Sequence, residues 1–227
     1  MNGPVVMLAG PRDLPPGVAD IAPVVSALVA AGVRLVTGCA KGADALVIRS
    51  ALGLGSVGVS ALEVLAAHGP VSSSLTVARY SAPGAWSGSA LEDVAAAVSA
   101  GVSVTWWAGG GPDLVLRARL ARRSRAGIQR VAAGGPGSGL VAWPMVLPPR
   151  PFGSGAWPSC GSGTWSSIAA AARLGLPVVV VPVGNLHNLS PSVWPDLGAR
   201  GHWSRLTSPV LAGAALWSPA PELDLSV

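Results

Sequence analysis

The chain has 227 residues, of which half are hydrophobic and 11% are charged, a balance that excludes a disordered chain and suffices for a sizeable core. Its 30 glycines and 21 prolines follow no three-residue period, which excludes collagen and points to many short turns between short elements. The net charge is +5, and it is unevenly spread along the chain.

In chain order, the apolar run Val5–Ala9 ends at Gly10-Pro11 and predicts a buried strand. Helical spacing of Ile21, Val24, Val25, Leu28 and Val29 predicts a helix over Val18–Ala31, stopped by Gly32. Val33–Thr37 predicts a second strand, followed by the glycine turn Gly38–Gly42 and a helix over Asp44–Leu52. A further helix is expected over Val57–Ala67, a strand over Leu75–Tyr80, a helix over Leu91–Ala100 and a strand over Val102–Trp107. Leu114–Arg130 reads as an arginine-rich helix and Leu140–Val146 as a strand. The turn Cys160–Gly163 leads into a helix over Thr164–Leu174, and Val178–Val183 reads as a strand. After Gly184 the chain is less regular, a loop-rich flap with one last strand over Val210–Trp217.

The strands are apolar throughout rather than alternating, and they alternate with helices. Both features predict an α/β fold with a doubly wound, mostly parallel, Rossmann-like sheet covered on both faces. Residues 1–184 are expected to form this nucleotide- or phosphate-binding domain, with 185–227 as a C-terminal extension packed on it. The longest uncharged stretches, 94–112, 151–172 and 174–195, are interrupted by Gly, Pro, Ser or Asn, so no membrane span and no membrane partner are expected. The first residues carry no basic segment ahead of the apolar run, so no secretory signal is expected, and two unpaired cysteines make a reducing, cytoplasmic compartment the default.

Between Asp113 and Asp196 there are eight arginines and no acidic residue. The remainder of the chain holds seven basic and ten acidic residues, and Lys41 is the one lysine. A guanidinium matches phosphate oxygens as a planar fork, so a segment basic through arginine alone favours a phosphate-bearing partner. The plainer alternative is a solvated helix face.

Three loops follow predicted strands and would share one sheet edge: Gly10-Pro11-Arg12, TGCAKGAD (37–44) and SCGSGT (159–164). The second and third place glycine-rich backbone at helix N-termini, where free amides and the helix dipole favour anions. Candidate phosphate contacts are Gly10, Arg12, Gly38, Cys39, Ala40, Lys41, Gly42, Asp44, Gly161, Ser162, Gly163 and Thr164, with Arg122, Arg123 and Arg125 closing over them. Each has a plain alternative: Arg12 pairs with Asp13, Lys41 is solvated, Thr164 is a helix cap, and Asp44 complements a dipole or orients a loop amide or ribose hydroxyl. Trp165, and less so Trp157, is a candidate for stacking on a base or for core packing. Cys39 and Cys160 are either small turn-filling residues or reactive thiols at helix starts. His68, His187 and His202 show no metal-binding spacing, and no metal is expected.

The TGCAKGAD segment with its continuation resembles the phosphate-binding segment of the DNA-processing protein A (Smf) family. That family shares a superfamily (SLOG) with the cytokinin-activating (LOG) phosphoribohydrolases. Thr37, Gly38, Ala40, Gly42, Asp44, Arg49, Ala51 and Leu52 match its pattern. Gly10-Pro11-Arg12 is similar to its Gly-Ser-Arg, Arg122-Arg123-Ser124-Arg125 to its Arg-Arg-Asn-Arg, and Gly161-Ser162-Gly163-Thr164 with 169–177 to its Gly-Ser-Gly-Thr turn and following helix. The likeness spans about residues 5–183. It implies a Rossmann-like frame that binds a nucleotide or single-stranded nucleic acid and acts in DNA processing. No cofactor is required, a bound nucleotide is the expected ligand, and a second copy of the chain is a candidate partner. Two departures stand out: Ile48 replaces the family's usual histidine, and Ser167 falls where the phosphoribohydrolases carry their catalytic glutamate. A hydroxyl cannot do a carboxylate's acid–base work, so binding without catalysis is expected. A nucleotide N-glycosidase and a nucleotide-sensing domain that signals to a partner are the alternatives.

Overall fold

The computed structural model describes residues 3–14, 21–74, 79–186, 189–208, 210–211 and 213–220. Five consecutive apolar residues form the central strand β1 (Val5–Ala9). Side chains of a strand alternate between faces, and here Val6 and Leu8 enter one core cluster while Val5, Met7 and Ala9 enter the other. An apolar run without polar alternation is thus what a strand covered on both faces requires.

On one side of β1 the chain lays down α1 (Ile21–Ala30), β2 (Arg34–Thr37), α2 (Ala43–Gly53), α3 (Gly55–Ala61) and β3 (Leu62–Leu65). A small hairpin of β4 (Ser72–Ser73) and β5 (Tyr80–Ser81) follows, then α4 (Leu91–Ser99) and β6 (Ser103–Thr105). Helix α5 (Leu116–Ala132) crosses to the other side of β1, where β7 (Gly139–Ala142), α6 (Gly163–Arg173) and β8 (Val178–Val180) complete the parallel part. Strands β9 (Gly201–Arg205) and β10 (Ala215–Pro219) add antiparallel to its edge. The sheet order is β6-β3-β2-β1-β7-β8-β10-β9, with parallel pairing from β6 through β8. This is the expected Rossmann-like, doubly wound α/β fold. The strand order reverses between β1 and β7, and ligands of such sheets bind outside the strand carboxyl ends near that reversal.

Several element expectations need correction. Leu62–Leu65 is a sheet strand, not the end of a helix over 57–67: the helix stops at Ala61, and Leu62 and Val64 pack into the core beside β2. Tyr80 belongs to the separate hairpin, while 75–78 of the expected strand and Val18–Asp20 of the first helix lie outside the described residues. The tail is more than a flap. It supplies both antiparallel strands, and Trp217 is 2% exposed in the same cluster as α6.

Helix α5 approaches β1 closely because Gly127 carries no side chain; a Cβ there would meet Met7 Sδ at 2.8 Å. Its buried residues are Arg119, Ser124, Gly127, Ile128 and Val131. A helix whose buried stripe begins with an arginine needs polar partners at that end, and the carboxyl edge of the sheet provides them. Among the described residues no helix is long and apolar enough to cross a membrane.

Candidate functional site

The loops after β1 and β2 are locked together. Pro11 accepts the amide of Ala43 at 3.1 Å, and a Cβ at Gly42 (φ 75°) would collide with the carbonyls of Pro11 and Arg12. Gly10 is equally constrained, between Ala43 and Trp143. Glycine is needed at both positions for close approach, and at Gly42 also for backbone conformation.

Asp44 organises the second loop from beneath. It is 6% exposed; its Oδ2 accepts the Ala40 amide at 3.0 Å and its Oδ1 accepts from Thr37 Oγ1 at 3.4 Å. Arg123 ion-pairs with it at 3.3 Å, both side chains being about nine-tenths buried. Burial works most strongly against the Arg123 charge, but Asp44 and Cys39 together outweigh it and the guanidinium is held above its ordinary pKa. A Cβ at Gly38 would strike both partners, so this glycine makes room for the pair.

Two of the loop amides expected to cradle phosphate, those of Ala40 and Lys41, are used inside the protein, as is that of Ala43. Ala40 donates to Asp44, Lys41 to Gly88 at 2.8 Å and Ala43 to Pro11. Cys39 accepts the Ala67 amide at its sulfur at 3.3 Å and the Ala90 amide at its carbonyl at 2.9 Å. Burial pushes its thiol pKa up, against the pull of Arg123, so Cys39 is a neutral packing group.

Arg119, which the sequence did not single out, fixes the next loops. Its Nη1 donates to Ala67 at 2.8 Å and Gly84 at 2.9 Å, and its guanidinium lies 5.5 Å from the Trp107 ring centroid. Trp107 is the one described non-glycine residue at positive φ (53°). His68 is fully buried between Trp86 and Trp106, with Nδ1 bonded to Gly69 O at 2.8 Å. Burial holds its pKa below the ordinary value. His68 Nε2 and Trp86 Nε1 have no partner among the described residues. The signal for Arg119 was the four-residue spacing of Arg119, Arg123 and Gly127, which puts all three on the stripe of α5 that enters the fold.

The third loop is built differently. Ser162 caps α6 by accepting from the Trp165 amide at 3.4 Å, so the cap is Ser162 and not Thr164. Gly161 sits at φ 89° against Pro149 and Arg150, and Gly161 and Gly163 are exposed. Among the described residues no hydrogen bond joins 159–164 to the first two loops. Trp165 is 1% exposed, donates from its indole to Val146 O at 2.6 Å, and lies 6.0 Å from Trp194. Its ring is turned into the core and has no face open to a base; Trp157 is half-buried. Ser167, at the glutamate position of the resembling hydrolases, is buried and its hydroxyl donates to Gly163 O at 3.0 Å.

Five exposed cations stand on the edge, beside the exposed carboxylates Asp13 and Asp113. Arg12 follows β1, Lys41 follows β2, Arg117 and Arg122 stand in the first two turns of α5, and Arg150 follows β7; all five are exposed. Among the described residues none of them has an ion-pair partner, and the same holds for exposed Arg125 farther along α5. No group of three or more His, Cys, Asp or Glu among the described residues is placed to hold a metal. No protein-family model matches the chain, and no curated protein matches it.

Proposed function

We propose that the protein binds the phosphates of a nucleotide or of single-stranded nucleic acid along the carboxyl edge of its sheet, in the manner of the DNA-processing protein A family that its motifs resemble. One observation carries this reading: five exposed cations follow β1, β2 and β7 or open α5 on one edge, and among the described residues no carboxylate pairs with them. Unpaired guanidinium groups on one side of a molecule are a phosphate footprint.

The buried residues have a supporting part. Asp44 and Arg123 fix the second loop and Arg119 fixes the loops beyond it, so Arg12 and Lys41 project from rigid backbone. Recognition then comes from side chains on a preorganised edge rather than from the Ala40 and Lys41 amides. Ser167 offers no carboxylate for glycosidic hydrolysis, which favours binding over that chemistry.

Fluorescence anisotropy of a labelled oligothymidylate of about 20 nucleotides tests the reading. Affinity should fall as salt rises, each neutralised phosphate adding about −0.7 to the log–log slope for a single strand. Reversing Arg12, Lys41 and Arg122 together to Glu should weaken binding at low salt by at least about tenfold, roughly what three lost charge contacts imply. Absence of strand binding at low ionic strength would end the nucleic-acid form of the proposal, and absence of nucleotide binding as well would end it altogether.

A further inference from the structure

Beside α6, between the loop after β7 and the segment that leads into β9, lies a cavity of about 510 Å³ that the cation row does not explain. That size is ordinary for a small-molecule site. Pro148, Pro149, Pro151 and Phe152, from the loop after β7, form one wall, and Pro195 belongs to the facing segment after β8. Prolines carry no amide donor, so these walls are apolar surfaces for a flat ring, and the selective hydrogen bonds fall to side chains.

Three charged residues line the cavity: Arg150, Arg173 and Asp196. Arg173 is a brace. Its Nε donates to Leu197 O at 3.3 Å and its Nη1 to Gly153 O at 2.9 Å and Gly155 O at 3.4 Å, tying the two walls together. Asp196 is set by accepting the Gly198 amide on Oδ1 at 2.8 Å. Neither arginine pairs with Asp196, although all three face one space. A positive and a negative group lining one cavity without meeting suit a ligand that has an anion at one end and hydrogen-bond donors at the other. Arg150 also lies against the third loop, its Nη2 being 3.2 Å from where a Cβ of Gly161 would stand, close to the N-terminus of α6.

We infer that this cavity takes a guanine base that carries a phosphate, with Asp196 on the Watson–Crick edge of the base and Arg150 on the phosphate. The inference rests on the nucleotide-binding reading above and names its base. A carboxylate only accepts hydrogen bonds. Guanine offers it two adjacent donors, N1–H and the N2 amine. Adenine and cytosine each set a ring-nitrogen acceptor beside their amine, where its lone pair opposes the carboxylate, and uracil and thymine offer a single N–H between two carbonyls. The proline and Phe152 walls accept any base, so discrimination belongs to Asp196.

Isothermal titration of the full chain with GMP, AMP, CMP, UMP and guanosine is the test. GMP should bind at least about tenfold tighter than AMP, the size of one charge-assisted hydrogen bond. Asp196→Asn keeps an acceptor for the Gly198 amide and should reduce that preference to about threefold or less. Arg150→Gln should weaken GMP while leaving guanosine unchanged. Measurable but equal affinities for the four nucleotides, or an undiminished preference in D196N, overturn the inference. An oligothymidylate ending in one guanosine separates the two sources of the base: a gain over the all-thymine strand without binding of GMP assigns the base to a strand, and a gain with both assigns it to either. If the all-thymine strand binds with the expected salt dependence and guanine adds nothing in either form, the inference falls and the proposed function stands. If no strand and no nucleotide binds, both fall.

Discussion

Arg123 and Arg122 are neighbours in sequence with opposite situations. Arg122 is exposed and has no ion pair among the described residues, whereas Arg123 is sunk beneath the second loop against Asp44. Removing one partner of a buried pair leaves the other charge without compensation, at a cost of about 3–5 kcal/mol. Arg123→Ala should therefore lower the urea-unfolding free energy by about 3 kcal/mol or more, measured by tryptophan fluorescence. Its effect on oligonucleotide binding should follow from loss of loop order. His68 gives a pH signature of its own. Burial depresses its pKa in the folded state below the ordinary 6.5. The unfolded chain therefore takes up a proton near that value while the folded chain does not. Stability is complete above about pH 6.5 and declines as the pH falls below it. Urea midpoints measured from pH 8 downward should show this fall, and His68→Phe, which keeps an aromatic ring between Trp86 and Trp106, should flatten it.

The elements divide into those legible from local pattern and those fixed by tertiary context. β1, β2, β7 and β8 show as apolar runs because both faces of each are covered, and α6 shows through its glycine turn and alanines. β3 did not show, because Leu62–Leu65 continues the small and apolar residues of α3 without a turn signal, and pairing with β2 decides its conformation. β9 did not show either: its Gly-His-Trp-Ser-Arg has little periodicity, and its strand form comes from five residue pairs with β10. In the candidate site, the glycine positions and the importance of Asp44 were readable from TGCAKGAD. The division of the α5 arginines into buried and exposed was not, since composition weighs them all alike. The tail hairpin is a structural member of the sheet, and Trp217 is its anchor. Trp217→Ala should cost about 3–5 kcal/mol in unfolding free energy. Thermal denaturation followed by near-ultraviolet circular dichroism would measure it, and a loss below about 1 kcal/mol would mean the hairpin is dispensable to the core.

At the scale of the molecule, one half of the sheet is stapled by the helix that leads to the other half. Arg119 and Arg123 belong to α5, which connects β6 to β7, yet they hold loops that follow β2 and β3 and the turn at Gly84. The β6–β3–β2–β1 half therefore lacks its edge geometry until α5 has docked. A fragment truncated after Ala132 would leave the β7 side of β1 without a partner, and an open strand edge templates pairing between chains. Such a fragment should elute in size-exclusion chromatography at a larger multiple of its own mass than the whole chain does of its mass.

The middle strand has a further consequence during synthesis. The Val5 amide is satisfied by Ser138 Oγ, 133 residues later, and the β7 backbone that flanks it arrives in the same stretch. At about 5–20 residues per second the ribosome needs on the order of ten seconds to deliver that partner. Throughout that interval a wholly apolar strand of the nascent protein has a bare flank, so slowing translation or depleting a holdase chaperone is expected to lower the fraction of the protein that reaches its native form, with no change in its final stability.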